Sequence, residues 1–152
     1  MIALIQRVNN AKVTVDEKIV SQIGKGFLIL LGVFEGDTQE QSCILAEKTA
    51  KLRIFCDDNG KMNLSPIQMS EQGQNIQMLV VSQFTLCAQC KGQNRPSFIN
   101  AAKPEIADTL YKRYVSVLSE NFDVVTGIFG ADMKVSLEND GPVTIILDTD
   151  KL

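Results

Sequence analysis

The chain has 152 residues, 45% of them hydrophobic and 22% charged, with ten Gly and four Pro, which fits one compact globular domain and argues against a disordered or multidomain protein. It contains no histidine, so Ser-His-Asp triads, Cys-His pairs, His-ligated zinc and imidazole bases are all excluded. A net charge of -3 and a pI near 5.0 argue against broad electrostatic capture of nucleic acid, DNA included, and leave room for a small local nucleic-acid contact.

Ile2, Leu4, Gln6 and Val8 alternate with Ala3, Ile5 and Arg7, and Val13 and Val15 continue the pattern, which predicts a strand bent or bulged near Asn9-Asn10. Asp16-Glu17-Lys18 forms a turn into a second strand over Ile19 to Ile23. Gly24-Lys25-Gly26 then precedes Phe27 to Val33, a run too apolar to face water on either side, which predicts a central strand. Thr38 and Gln41 form a loose capping box for an amphipathic helix ending near Arg53. Asp57-Asp58-Asn59-Gly60 predicts a tight turn between Ile54-Phe55 and Met62-Leu64 rather than a calcium loop, because the glycine is misplaced for one. Ile76 to Phe84 predicts another buried strand, and Ala88 to Ser97 a loop. Pro104 opens a second helix with Ile106, Leu110, Tyr114, Val117 and Leu118 on one face. Three strands follow, at Asp123 to Thr126, Met133 to Leu137 and Val143 to Leu147. This order predicts an α/β domain of layered mixed sheets packed face to face with helices on one side.

Cysteines 43, 56, 87 and 90 do not read as a secreted disulfide framework. No apolar run approaches the ~20 residues of a membrane span, and no leader pattern opens the chain. The expectation is a cytoplasmic protein with no membrane partner.

Three stretches hold candidate chemistry. Cys87-Ala-Gln-Cys90 has redox spacing but sits in a predicted loop, and a zinc site would have to recruit both distant cysteines. Ser82-Gln83-Phe84-Thr85 places two hydroxyls and an amide at the end of a buried strand, above a possible pocket; local side-chain to backbone bonding is the ordinary alternative. Asn139-Asp140-Gly141-Pro142 reads as a turn, and its Gly-Pro bond is cis or trans as far as sequence tells; the cis form would turn two adjacent carbonyls to one side as paired acceptors.

With these stretches the chain resembles the D-aminoacyl-tRNA deacylases, also called D-tyrosyl-tRNA deacylases, over essentially its whole length. The resemblance rests on Met1-Ile-Ala-Leu-Ile-Gln-Arg-Val8, Gly60-Lys-Met-Asn-Leu64, Val80-Val-Ser-Gln-Phe-Thr-Leu86, Arg95-Pro-Ser-Phe98, Thr126-Gly-Ile-Phe129 and Asn139-Asp-Gly-Pro-Val-Thr144. It implies a homodimeric, cofactor-free and metal-free enzyme, one domain over residues 1–152. Its reaction is hydrolysis of the ester joining a D-amino acid to the 3' end of tRNA. By the same resemblance Ser82, Gln83, Phe84 and Thr85 line the pocket, and Gly141 and Pro142 form a cis dipeptide inserted into the partner subunit's site. Arg7 orients that dipeptide, Phe129 sits near the terminal adenine and Met133 lies close to the pocket.

Physical chemistry makes these expectations intelligible. Paired carbonyls of Gly141-Pro142 can accept from the substrate ammonium, so a D side chain points outward while an L side chain meets the wall. Such a wall cannot exclude glycine, and glycyl-tRNA is an expected substrate. The ester is already activated, so positioning, the substrate's own 2'-hydroxyl and backbone N–H groups around Phe84 and Thr85 can replace an imidazole base. Thr85 as a covalent nucleophile is the rival mechanism, and it lacks a base. Lys91, Arg95 and Lys103 are candidate phosphate contacts. The rival functions are a relative that clears a mischarged L-amino acid such as L-alanine, favoured by a trans Gly-Pro bond, a non-catalytic RNA-end binder, and a thiol-redox protein using Cys87 and Cys90.

Overall fold

The computed structural model describes residues 1–152. Strands β1 (Ile2–Val15), β2 (Lys18–Ile23) and β3 (Gly26–Gly32) open the fold, followed by helix α1 (Gln39–Ala50). A small ribbon of β4 (Phe55–Cys56) and β5 (Met62–Leu64) leads to a short helix α2 (Pro66–Glu71) and strand β6 (Gln77–Ser82). A 3-10 turn (Phe84–Cys87), helix α3 (Pro104–Leu118) and strands β7 (Asp123–Thr126) and β8 (Lys134–Asp148) complete it.

The β1 alternation drives a long antiparallel ladder, with β3 and then β2 along one edge of β1 and β8 along the other. β3 then pairs in parallel with β6, and β6 with β7. The bend expected at Asn9-Asn10 is a bulge: Val8 pairs with Asn139 and Asn10 with Glu138, which leaves Asn9 as the extra residue. An extra residue reverses which face later side chains take. Ala3 and Ile5 therefore join one core with Phe27, Ile29, Leu31, Met78 and Val80, whereas Ala11 and Val13, past the bulge, join another with Ile23, Leu28, Leu79, Val81 and Val8, which faces that side by simple alternation. The expected layers thus come from one sheet folded over itself, with helices covering the larger core.

Both faces of β3 and β6 are buried, as the unbroken apolar runs require. Helix α1 starts at Thr38 with a complete capping box to Gln41 and packs beside α3, where Thr49 Oγ1 and the Tyr114 hydroxyl share a buried hydrogen bond of 2.8 Å. Three expectations need correction. The buried stripe of α3 runs through Leu110, Tyr111, Tyr114 and Leu118, while Ile106 is 45% exposed, because the helix is rotated to bring Tyr111 inward. Phe84 leaves the strand and starts the 3-10 turn. The two strands expected around Asn139–Pro142 are one strand, β8, with a local excursion.

Candidate functional site

The parallel pairing of β3 with β6 ends at Leu31 and Ser82, and the Gln83 N–H still donates to the Leu31 carbonyl at 2.8 Å. The chain then tightens: Leu86 N–H donates to Gln83 O at 3.3 Å and Ala88 N–H to Thr85 O at 3.2 Å. Gly32 makes room for this turn, because a Cβ there would sit 2.9 Å from Ile2 Cγ2, 3.1 Å from Leu86 Cβ and 3.2 Å from Gln83 O. Gln83 Nε2 donates to Thr85 Oγ1 at 2.5 Å, so the two side chains hold each other. The Phe84 and Thr85 N–H groups open the turn and have no partner inside it.

Cys87 pins the end of the turn. It is buried and its thiol donates to the Val33 carbonyl at 3.3 Å. Burial first, and the Asp37 carboxylate second, push its pKa up to about 11, so the thiol stays protonated at neutral pH. Cys90 lies exposed in the following loop and all four cysteines are free, which is not the environment of a reactive dithiol. At pH 8, iodoacetamide is expected to label Cys56 and Cys90 in the folded protein and to spare Cys87. Peptide mass spectrometry reads this directly, and equal labelling of Cys87 would show that the turn opens.

A cavity of about 550 Å³ lies against this turn. Ser82, Gln83, Phe84, Phe129 and Met133 line it together. Thr85 is outside the lining and reaches it through Gln83. Sequence reasoning missed Ala101, Ala102, Tyr111 and Asp132, which also line it. The Tyr111 hydroxyl donates to Val80 O at 2.7 Å, and burial holds its pKa well above the ordinary phenol value. The Phe129 ring tilts against Tyr111 with centroids 6.0 Å apart. Gly127 clears the path of Met133, whose Sδ would lie 2.6 Å from a Cβ at that position. At the mouth, exposed Phe84 meets Phe98 edge to face at 5.0 Å. Lys91, Arg95 and Lys103 are all exposed.

Arg7, Gly141 and Pro142 do not line this cavity. They form a second feature on the edge strand β8. Gln6 pairs with Thr144 and Val8 with Asn139, so Asp140–Val143 leave the ladder opposite Arg7. Gly141 and Pro142 are exposed, and the bond between them is cis. Asn139 closes the base of the excursion: its Oδ1 accepts from Val143 N–H at 2.7 Å and its Nδ2 donates to Val143 O at 3.1 Å. The buried Arg7 side chain holds the near side. Its Nε donates to Asp140 O at 3.0 Å and pairs with Asp140 Oδ2 at 2.9 Å, while Nη1 donates to Ile54 O at 2.5 Å.

The comparisons agree with this architecture. A family model described as D-Tyr-tRNA(Tyr) deacylase matches residues 4–148. A D-aminoacyl-tRNA deacylase of Persephonella marina is 55% identical over 152 residues, covering all of both chains. One of Flavobacterium psychrophilum is 54% identical over 98% of this chain and 97% of its own. Among solved structures, a c-Myc DNA unwinding element binding protein superposes with a TM-score of 0.87 at 38% identity, covering 97% of this chain and 98% of that one. A probable eukaryotic D-amino acid tRNA deacylase shares the fold with a TM-score of 0.79 at 17% identity, covering 96% of this chain and 97% of its own. The cavity at the end of β6 therefore sits in a chain that belongs to the D-Tyr-tRNA(Tyr) deacylase family.

Proposed function

We propose that this cavity hydrolyses the ester bond of D-aminoacyl-tRNA, releasing the free D-amino acid and tRNA as a proofreading step in the cytoplasm. The observation that carries the reading is the convergence of Ser82, Gln83, Phe84, Phe129 and Met133 on one cavity in a chain matched by the family over nearly its full length. Water adds to the ester carbonyl carbon, and the bond to the ribose oxygen breaks. The proton from water ends on the leaving ribose hydroxyl. Phe84 and Thr85 N–H groups stabilise the oxyanion, a type of contact worth about 3–4 kcal/mol per donor where it has been measured. Thr85 acts as a positioning group for Gln83 rather than as a nucleophile, since its hydroxyl is occupied by an amide and no base adjoins it.

Residues 1–152 act as one deacylase domain in this reading, and two copies form the working unit. Gly141 and Pro142, standing out from the edge strand, enter the partner's cavity and offer their carbonyls to the substrate ammonium. Their exposure on an excursion held by Arg7 and Asn139 suits a rigid element that has no cavity of its own to fill. Exposed aromatic surface at Phe84 and Phe98 suits stacking by terminal bases of RNA. Lys91, Arg95 and Lys103 would meet nearby phosphates.

The decisive assay offers tRNA charged with D-tyrosine, L-tyrosine or glycine. Release of D-tyrosine and glycine, with L-tyrosine retained, is expected. Inert glycyl-tRNA beside cleaved D-tyrosyl-tRNA would overturn the steric sieve, and binding without any release would overturn the enzyme.

A further inference from the structure

A substrate that carries a primary ammonium brings a full positive charge into this cavity. Moving such a charge away from water is costly unless it meets an opposite charge or a complete set of hydrogen bonds. An ammonium has three donors. The two carbonyls proposed for Gly141 and Pro142 answer two of them and carry no net charge, so the third donor falls to the cavity lining and the charge itself has no counter-charge.

The cavity lining supplies one answer. It consists of apolar residues, Ser82, Gln83, the Tyr111 hydroxyl already committed to Val80 O, two small glycine and alanine segments, and a single ionisable carboxylate, Asp132. Asp132 takes part in none of the ion pairs of the chain. It lies between Phe129 and Met133 on the segment that follows β7, and it lines the same cavity as Ser82 and Gln83. A carboxylate that has no structural partner and borders an otherwise uncharged cavity is placed for a cationic ligand.

We infer that Asp132 is a substrate-binding residue, its carboxylate accepting from the α-ammonium of the aminoacyl ester as the counter-charge that the carbonyl pair lacks. The inference rests on the reading of the cavity as the deacylation site. The contact exists in the ground state and in the transition state alike, so its loss raises KM and leaves kcat nearly unchanged.

The test is Asp132→Asn with two substrates, D-tyrosyl-tRNA and N-acetyl-D-tyrosyl-tRNA, which has the same ester without the charge. For the charged substrate KM is expected to rise roughly tenfold, the scale of one hydrogen bond to a charged group at a solvent-accessible site. The acetylated substrate is expected to be cleaved equally by both proteins. Because Asp132 is exposed and unpaired, the thermal unfolding midpoint of the variant should match that of the parent. An equal loss on both substrates would place the carboxylate on the ribose or on tRNA and overturn the inference, as would an unchanged KM. Failure of the parent protein to cleave D-tyrosyl-tRNA would instead overturn the functional reading itself.

Discussion

Arg7→Met is expected to lower deacylation of D-tyrosyl-tRNA about a hundredfold, the usual result when a positioning element shifts by an ångström. The variant should still fold, though less stably. Methionine keeps the length of the side chain but removes every donor, so the Ile54 carbonyl loses its 2.5 Å partner and Asp140 loses both of its contacts with Nε. The Ile54 loss should cost roughly 1–3 kcal/mol, the price of an unsatisfied buried acceptor. Asp140 is partly exposed and can be hydrated again. A fall in Tm of roughly 3–9 °C follows for a chain of this size. The activity loss should exceed anything explained by that fall at 25 °C, because the Gly141-Pro142 segment would no longer be tied to β1. Normal turnover in a folded variant would show that Arg7 serves stability alone.

Gly26→Ala should abolish the folded state. A Cβ at Gly26 would lie 1.8 Å from Gln77 O and 2.8 Å from its carbonyl carbon. These are backbone atoms at the first rung of the β3 to β6 pairing, so no side chain can move aside. Relief requires separating the two strands that form the centre of the sheet, a cost beyond the 4–5 kcal/mol that marks exceptional substitutions. Gly73→Ala is the control. Its φ of +80° penalises alanine, but nothing lies within 4 Å of the added methyl, and about 1–2 kcal/mol is expected. Soluble yield and circular dichroism of the two variants distinguish them, and a native Gly26→Ala protein would refute the account of the sheet.

The parts of this molecule legible in its sequence are those set by short-range rules. The polar pair Asn9-Asn10 interrupts an alternation and marks the bulge; Thr38 and Gln41 mark a helix start; the apolar runs ending at Gly32 and Ser82 mark the central strands. Helix α2 was missed because six residues are too few to show a helical period, although Ser65 and Gln68 do form a capping box. Tyr111 and Asp132 were missed for another reason. They reach the cavity only when α3 and the segment after β7 pack against the end of β6; nothing near Tyr111 signals that, and for Asp132 the one signal was its neighbour Met133, which the resemblance placed close to the pocket. Asn139 was read as part of a turn, whereas it closes an excursion from a strand that continues on both sides. At Ser82–Thr85 the residues alone marked only the end of a buried strand, and the family resemblance was needed to choose a pocket over local side-chain bonding; Ser82, Gln83 and Phe84 line the cavity and Thr85 does not.

The pairing of β1 with β8 joins residues 2–14 to residues 134–148. The first strand made during synthesis must therefore wait for the last one. Until β8 leaves the ribosome, one edge of β1 has no partner and the excursion carrying Gly141 and Pro142 does not yet exist. The open edge of β1 is of the kind other strands can pair with, so the growing chain is exposed to wrong pairing until its last strand arrives.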